Sequence, residues 1–174
     1  RRLRDGTVTQ LSFIGSESVV QMTYKVKLVA VDSNRDLALM QVLGAIPNKM
    51  AARLACVDPI RGETAYIVGN PTGSLYSSVV KGIVSSVQRS YDMILFPRSG
   101  IENSKQPLMQ ISGGTIGGNS GGAAYNDRGE LIGVPVMGHR TNEVIGFAVP
   151  LTEIKAFLKD NRIDAAVWAC AAAQ

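Results

Sequence analysis

Apolar residues in this 174-residue chain fall in short segments separated by turn residues. Several segments alternate apolar and polar residues, as half-buried strands do. Residues 70–73, Asn-Pro-Thr-Gly, predict a turn, and residues 126–129, Asn-Asp-Arg-Gly, are typical of a hairpin. We predict strands at residues 8–14, 24–31, 37–43, 63–69, 93–96, 108–111, 122–125, 131–137 and 144–149, and two more within 77–88 around Gly82.

One segment near the end of the chain has helical spacing instead. Ile154, Phe157 and Leu158 fall at i, i+3 and i+4 after Pro150, which gives one apolar stripe along a helix. Thr152 is the predicted N-cap, because its hydroxyl can accept a hydrogen bond from a free backbone N–H. Many short strands followed by one helix predict an all-β fold of the antiparallel barrel type.

Composition excludes several classes of function. Hydrophobic residues make up 45% of the chain, but no apolar run approaches the ~20 residues of a membrane span. The 18 basic residues are scattered, without a basic stripe interleaved with aromatic residues, so we predict no nucleic-acid partner. Cys56, at the end of the Ala-Ala-Arg-Leu-Ala-Cys segment 51–56, is predicted to be a small buried apolar residue, and its pairing with Cys170 stays open. The absence of a Cys/His cluster predicts no metal and no cofactor.

Residues 117–122 read Gly-Gly-Asn-Ser-Gly-Gly and lie between two predicted strands. Glycines allow a tight turn and a close approach of substrate, and they leave backbone N–H groups available to an oxyanion. A phosphate-binding loop needs lysine where Asn119 stands. A nucleophile elbow needs a helix after Ser120, where we predict strands. The pattern therefore favours a nucleophilic serine on a turn between strands.

Read end to end, the sequence resembles the trypsin-like serine proteases of the high-temperature-requirement (HtrA) type. The segments that carry this resemblance are residues 31–40, 62–73, 79–90, 109–133 and 146–150. The resemblance implies an all-β, trypsin-like double β-barrel with a C-terminal helix, the first barrel being incomplete in this sequence. It implies a protease domain at 1–162, divided into the remainder of the first barrel with a linker (1–58), the second barrel (59–150) and the helix (151–162). An Ala-rich tail follows at 163–174.

The same resemblance assigns the catalytic residues. Ser120 would be the nucleophile, the backbone N–H groups of Gly118 and Ser120 would form the oxyanion hole, and Asp36 would orient the base. Asp32 is a nearby competitor, but only Asp36 directly precedes an apolar run. The family's histidine lies well before this aspartate, so we expect it upstream of the sequence. His139, the only histidine, is expected to be a loop or cleft-rim residue without an acid–base role.

By resemblance, Val136, Met137 and Gly138 border the primary specificity pocket, with residues 112–115 opposite. No acidic residue falls at the base of this pocket, so we expect small to medium apolar side chains to be preferred over lysine or arginine.

The implied function is that of a serine endopeptidase that cleaves unfolded or exposed polypeptide through an acyl-enzyme. The expected partners are polypeptide substrates, and homo-oligomerisation stays open. The resemblance alone favours a periplasmic or secreted location. Two alternatives also stay open: a catalytically inactive trypsin-like domain used for binding or assembly, and a structural protein that keeps the domain for self-processing.

Overall fold

Strands dominate the protein. The computed structural model describes residues 8–14, 21–46, 51–73, 78–89, 107–113, 116–138 and 144–163. These residues form ten strands and one helix, α1 (Leu151–Asp160). The strands are β1 (Val8–Ile14), β2 (Gln21–Asp32), β3 (Leu37–Leu43), β4 (Arg53–Leu54), β5 (Thr64–Gly69), β6 (Ser78–Arg89), β7 (Leu108–Ser112), β8 (Ala123–Tyr125), β9 (Glu130–Gly138) and β10 (Ile145–Pro150). No helix among the described residues is long and apolar enough to cross a membrane.

Six of the strands close into a barrel. Their order is β10-β7-β6-β5-β8-β9, and β10 pairs back onto β9, so the ring is complete. All pairs within the ring are antiparallel, and β4 forms a short parallel pair with the first two residues of β9. Closure gives every strand of the ring two neighbouring strands, so the ring has no edge strand. The expected barrel and C-terminal helix are confirmed.

The first three strands form a separate antiparallel sheet in the order β1-β2-β3. The register places Val8 opposite Lys27, and Lys25 opposite Leu43. Within the described residues this sheet does not close. A tight turn of residues 33–36 joins β2 to β3, and Asp32 pairs with Leu37 across it. This turn contains Asp36, the residue predicted to orient the catalytic base.

The main core lies inside the barrel. Ala65 and Ile67 of β5 are fully buried and alternate with partly exposed residues, as expected of a half-buried strand. Ile111 and Ile132, from β7 and β9, meet them in the same cluster. Leu37 of the first sheet also packs against this cluster, so the first sheet has an apolar contact with the barrel.

Helix α1 closes one side of the core but begins earlier than the sequence predicts. Leu151, Ile154 and Phe157 are its buried residues. The prediction that Thr152 is the N-cap is wrong: Pro150 occupies the N-cap position, and no side chain caps the helix. The reason is that β10 runs directly into the helix. Burial of the apolar stripe, rather than a capping hydroxyl, fixes where it starts.

The prediction of two strands around Gly82 is also wrong, because β6 is one uninterrupted strand of 12 residues. Gly82 pairs with Ala65 inside the ladder. A Cβ at Gly82 would lie 2.6 Å from the carbonyl oxygen of Ser112 on β7. The glycine therefore permits a close approach of two strands, and it does not make a turn.

The prediction that Cys56 is buried is the third error. Leu54 and Ala55 face the core, and the chain then bends, which leaves Cys56 exposed. The short strand β4 was not predicted at all. The predicted strand at residues 93–96, the Ala-rich residues 165–174 and Cys170 lie outside the described residues.

Candidate active site

Ser120 lies on a loop between β7 and β8 that turns sharply. The Gly122 N–H donates to the carbonyl oxygen of Asn119 at 3.0 Å. Gly118 and Gly121 have φ angles of 106° and 80°, in the left-handed region that costs glycine little because it has no Cβ. The loop therefore requires glycine on both sides of the serine, and it leaves Ser120 exposed.

Backbone hydrogen bonds fasten this loop to two neighbouring elements. The Thr72 N–H donates to the carbonyl oxygen of Gly117 at 2.6 Å, and the Gly121 N–H donates to that of Pro135 at 2.8 Å. The first bond joins the loop to the 3-10 turn Pro71–Gly73 that follows β5. The second joins it to β9. Both bonds restrict the position of Ser120 relative to the barrel.

The Ser120 hydroxyl rests against β9. Its Oγ donates to the carbonyl oxygen of Val136 at 3.1 Å. Met137 and Gly138 follow on the same strand, Met137 half-buried and Gly138 exposed. The structure thus brings Ser120 together with the strand predicted to border the specificity pocket.

A small apolar cluster lies along the same part of β9. Leu108 and Phe147 are its buried members, and Val136, Met137 and Ile145 pack against them. The strand that supplies the acceptor for the Ser120 hydroxyl therefore also contributes Val136 and Met137 to an apolar cluster.

Two amide groups in the Ser120 loop have unused hydrogen-bonding capacity. In the part of the chain that the structure describes, the backbone N–H groups of Gly118 and Ser120 donate to no protein acceptor. Both residues are exposed. Paired backbone donors of this kind can stabilise a negatively charged oxygen.

Asn119, between these two residues, is buried with 1% of its surface exposed. Neither its Oδ1 nor its Nδ2 has a hydrogen-bond partner among the described residues. Burying an amide without partners is unfavourable, so packing and not hydrogen bonding holds this side chain. The packing is tight, because a Cβ at Gly69 would lie 2.5 Å from Asn119 Oδ1.

The two aspartates of the β2–β3 turn have different environments. Asp32 Oδ1 accepts the backbone N–H groups of Asn34 and Arg35 at 2.9 and 3.0 Å, and its Oδ2 binds the Arg35 guanidinium at 2.8 Å. Asp36 is exposed, and its side chain makes no hydrogen bond or ion pair within the described residues. Asp32 therefore builds the turn, whereas the carboxylate of Asp36 remains available.

Arg35 links this turn to the C-terminal helix. Its Nε donates to Glu153 at 3.0 Å, and its Nη1 donates to Asp160 at 2.8 Å. Burial alone would lower the pKa of Arg35, but the hydrogen bonds to Glu153 and Asp160, together with the negative charges of Asp32 and Asp160, raise it above its ordinary value. No motif marks Arg35 in the sequence. The available signal was the pair of acidic residues on α1, seven positions apart and therefore on one helix face.

Asp36 lies in a turn of the first sheet and Ser120 in a loop of the barrel. No hydrogen bond joins their side chains in the described part of the chain. His139 and residues 114–115 of the expected pocket wall lie outside the described residues. Among the residues described, no group of three or more His, Cys, Asp or Glu side chains could hold a metal ion.

The sequence model of the trypsin-like peptidase domain matches residues 6–134, which is most of the chain. This chain belongs to the trypsin-like peptidase family. The matched region contains both Asp36 and the Ser120 loop. Its relatives identify the HtrA type within this family.

The HtrA relatives come from distant organisms. Serine protease HTRA1 of Xenopus tropicalis is 32% identical over 141 residues, which cover 80% of this chain and 28% of that protein. The Serine protease Do-like HtrA of Bacillus subtilis is 34% identical over 137 residues, which cover 77% of this chain and 30% of that protein. This trypsin-like domain thus spans less than a third of the length of these relatives.

Solved structures of HtrA-type proteases share the fold. The serine endoprotease from Yersinia pestis matches with a TM-score of 0.64 and 26% identity, over 83% of this chain and 46% of that one. The HtrA-type protease AlgW with decapeptide matches with a TM-score of 0.66 and 25% identity, over 80% of this chain and 41% of that one. Sequence and structure therefore agree on an HtrA-type, trypsin-like domain.

Proposed function

We propose that this trypsin-like domain is the catalytic domain of a serine endopeptidase that cleaves unfolded or exposed polypeptide. One observation carries the proposal: the exposed hydroxyl of Ser120 shares a glycine-built loop with two backbone N–H groups that have no acceptor among the described residues. Acyl transfer needs both a nucleophile and donors for the oxyanion.

In the proposed reaction, Ser120 Oγ attacks the carbonyl carbon of the scissile peptide bond while a base accepts the hydroxyl proton. The N–H groups of Gly118 and Ser120 stabilise the oxyanion, and loss of one such donor costs a factor of about 10²–10³ in rate. The C–N bond then breaks, and the amine leaves with the proton from the base. Water then attacks the resulting ester, the bond between the acyl carbon and Ser120 Oγ breaks, and the carboxylic acid product leaves as the serine hydroxyl is regenerated.

We assign the role of base to a histidine supplied from outside this sequence, and the orientation of that histidine to Asp36. The single histidine of this sequence, His139, comes directly after β9 in the sequence and lies outside the described residues. The available carboxylate of Asp36 supports its assignment, whereas Asp32 is occupied in the turn.

The proposed substrates are peptides with small to medium apolar side chains at the cleavage site. The apolar cluster of Leu108, Phe147, Val136, Met137 and Ile145 supports this preference. The bound decapeptide of the HtrA-type relative AlgW supports a peptide as the ligand. A peptide library in which basic residues are preferred would contradict this preference.

The test is labelling of the full-length natural protein with a fluorophosphonate probe, followed by peptide mass spectrometry. We expect an adduct on Ser120, because only an activated serine reacts with such probes. The Ser120→Ala variant should remain folded, since it loses one hydrogen bond of an exposed side chain, and it should not be labelled. An adduct elsewhere, or none on folded wild-type protein, would overturn the proposal.

One observation favours a second candidate, a catalytically inactive domain used for binding. The Ser120 hydroxyl donates to the carbonyl of Val136 and not to a base. This candidate predicts peptide binding by wild-type protein and by Ser120→Ala alike, without any labelling or cleavage by either.

A further inference from the structure

The side chain of Arg35 connects three carboxylates from two parts of the fold. It contacts Asp32 at the end of β2, and Glu153 and Asp160 on α1, at 2.8, 3.0 and 2.8 Å. The side chains of Arg35, Asp32 and Glu153 retain only 16–23% of their exposed surface, while that of Asp160 retains 58%. Partly buried, charge-assisted hydrogen bonds from a planar guanidinium fix both distance and orientation.

The residue after this arginine has an unusual backbone. Asp36 has a φ of 55°, in the left-handed region that residues with a Cβ occupy at a cost. Such a conformation persists when its surroundings determine it. The Asp36 side chain makes no hydrogen bond or ion pair in the described residues, so we look to its neighbours for the restraint. Arg35 binds α1 on one side, and Leu37 packs against the barrel core on the other.

Building on the proposed function, we propose that Arg35 is a positioning residue, which fastens the turn of residues 32–36 to α1 and so sets where the Asp36 carboxylate stands relative to Ser120. Asp36 lies in the turn that joins two strands of the first sheet, and Ser120 lies in a loop that joins two strands of the barrel. Their relative placement therefore depends on the contacts between these two parts. The ion pairs of Arg35 with Glu153 and Asp160 are such contacts. Arg35 directly precedes Asp36 in the sequence.

The test uses the full-length protein with Arg35→Gln and Arg35→Lys. The matched control is Arg128→Gln, which also removes an arginine ion pair, to Glu130, but on the β8–β9 turn of the barrel. Two readouts are compared: kcat and KM on an apolar peptide substrate, and hydrogen exchange of the backbone amides in residues 33–37. Glu153→Gln removes the ion pair between Arg35 and Glu153 from the helix side. It replaces Arg35→Gln as the test variant if Arg35→Gln does not fold.

Arg35→Gln should lower kcat by about 10–100-fold with little change in KM, since a misplacement near 1 Å can cost about that much in rate. Exchange in the turn should accelerate in parallel. Arg35→Lys keeps the positive charge but loses the planar guanidinium. Its kcat and its exchange rates in the turn should therefore lie between those of wild type and Arg35→Gln. Arg128→Gln should match the wild type in both readouts.

A wild-type kcat in Arg35→Gln, or a loss of kcat with unchanged exchange in the turn, would overturn the positioning role. A loss that merely follows the folded fraction would do the same. A wild-type protein that neither cleaves peptide nor reacts with a fluorophosphonate would instead overturn the proposed function. Exchange in Arg35→Gln would then still decide whether Arg35 fastens the turn.

Discussion

Two glycines near Ser120 are required by packing rather than by backbone angle. A Cβ at Gly122 would collide with the carbonyl oxygen of Val68 on β5 and would lie 3.0 Å from that of Asn119. Gly69 faces the same buried Asn119 from the other side. The strand β5 and the serine loop therefore approach each other more closely than any residue with a side chain would allow.

Gly122→Ala should lower the free energy of unfolding by about 1–3 kcal/mol, because backbone atoms must move to admit the methyl group. Gly117→Ala is the matched control in the same loop. A Cβ at Gly117 meets no atom within 4 Å, so the change should stay within about 0.5 kcal/mol. Denaturant unfolding of both variants measures the difference, and equal effects would contradict the packing argument.

The turn between β8 and β9 depends on one buried amide. Asn126 Oδ1 accepts the N–H groups of Arg128 and Glu130 at 3.0 and 2.9 Å, and its Nδ2 donates to Glu130 Oε2 at 2.8 Å. The hydrogen bond from Asn126, aided by Arg128, lowers the pKa of the Glu130 carboxyl below its ordinary value of 4.5. The ionised carboxylate therefore stabilises the turn.

The pH dependence of stability should report this carboxylate. A lowered pKa in the folded state means that the contribution is complete above pH 4.5 and is lost as the pH falls through the lower, folded-state pKa. Glu130→Gln should therefore be less stable than wild type at pH 7, and the gap should narrow in acid. Asp127→Asn, in the same turn, is the control. A gap that does not change with pH would contradict this assignment.

At the scale of elements, helix α1 shows what holds a short helix without a cap. Its ten residues begin directly after β10, and no side chain satisfies its first N–H groups. Burial of Leu151, Ile154 and Phe157 against the barrel supplies the stabilisation that capping does not. The ion pairs of Arg35 with Glu153 and Asp160 add a second attachment, on the side of the first sheet.

Two substitutions in α1 separate these sources of stability. Ile154→Ala should lower the free energy of unfolding by about 2–5 kcal/mol, since it removes a buried side chain. Thr152→Ala should change it by less than about 0.5 kcal/mol, whereas loss of a true N-cap typically costs about 1 kcal/mol. Thermal or denaturant unfolding provides the measurement. A large effect at Thr152 would show that its hydroxyl does cap the helix.

Much of the strand pattern could be predicted from sequence, because alternation of polarity reflects local geometry. The segments 8–14 and 37–43 coincide with β1 and β3. The prediction of a strand break at Gly82 was wrong, because the sequence alone does not distinguish a glycine that permits close approach of two strands from one that makes a turn. The short strand β4 has only two residues and depends on pairing with the distant β9, which no local pattern indicates. The loop of Ser120 could be recognised from its glycines, but the role of Arg35 depends on partners 118 and 125 positions away.

At the scale of the whole molecule, the described chain joins a closed ring of strands to a sheet with open edges. The barrel pairs every strand on both sides, whereas β1 and β3 each have one unpaired side within the described residues. Leu37 and the ion pairs of Arg35 connect the two parts. Unequal stability of the two parts follows from this difference in pairing.

Native-state hydrogen exchange should therefore resolve two levels of protection. Amides of the barrel strands β5 to β9 should exchange at least about tenfold more slowly than those of β1 and β3, because the sheet can open without disrupting the ring. Leu37→Ala should accelerate exchange in the sheet more than in the barrel. Uniform protection, or uniform acceleration by Leu37→Ala, would show that the two parts unfold as one cooperative unit.

The order of strands in the ring also affects the nascent chain. β10 is the last strand of the ring in chain order, and it fills the gap between β7 and β9. Until Pro150 has left the ribosome, β7 and β9 each present an unpaired edge, and unpaired edges are templates for association with other chains. Folds completed by such distant pairings form slowly. The interval before the tenth strand emerges is therefore the period in which chaperone binding or aggregation competes with folding of this domain.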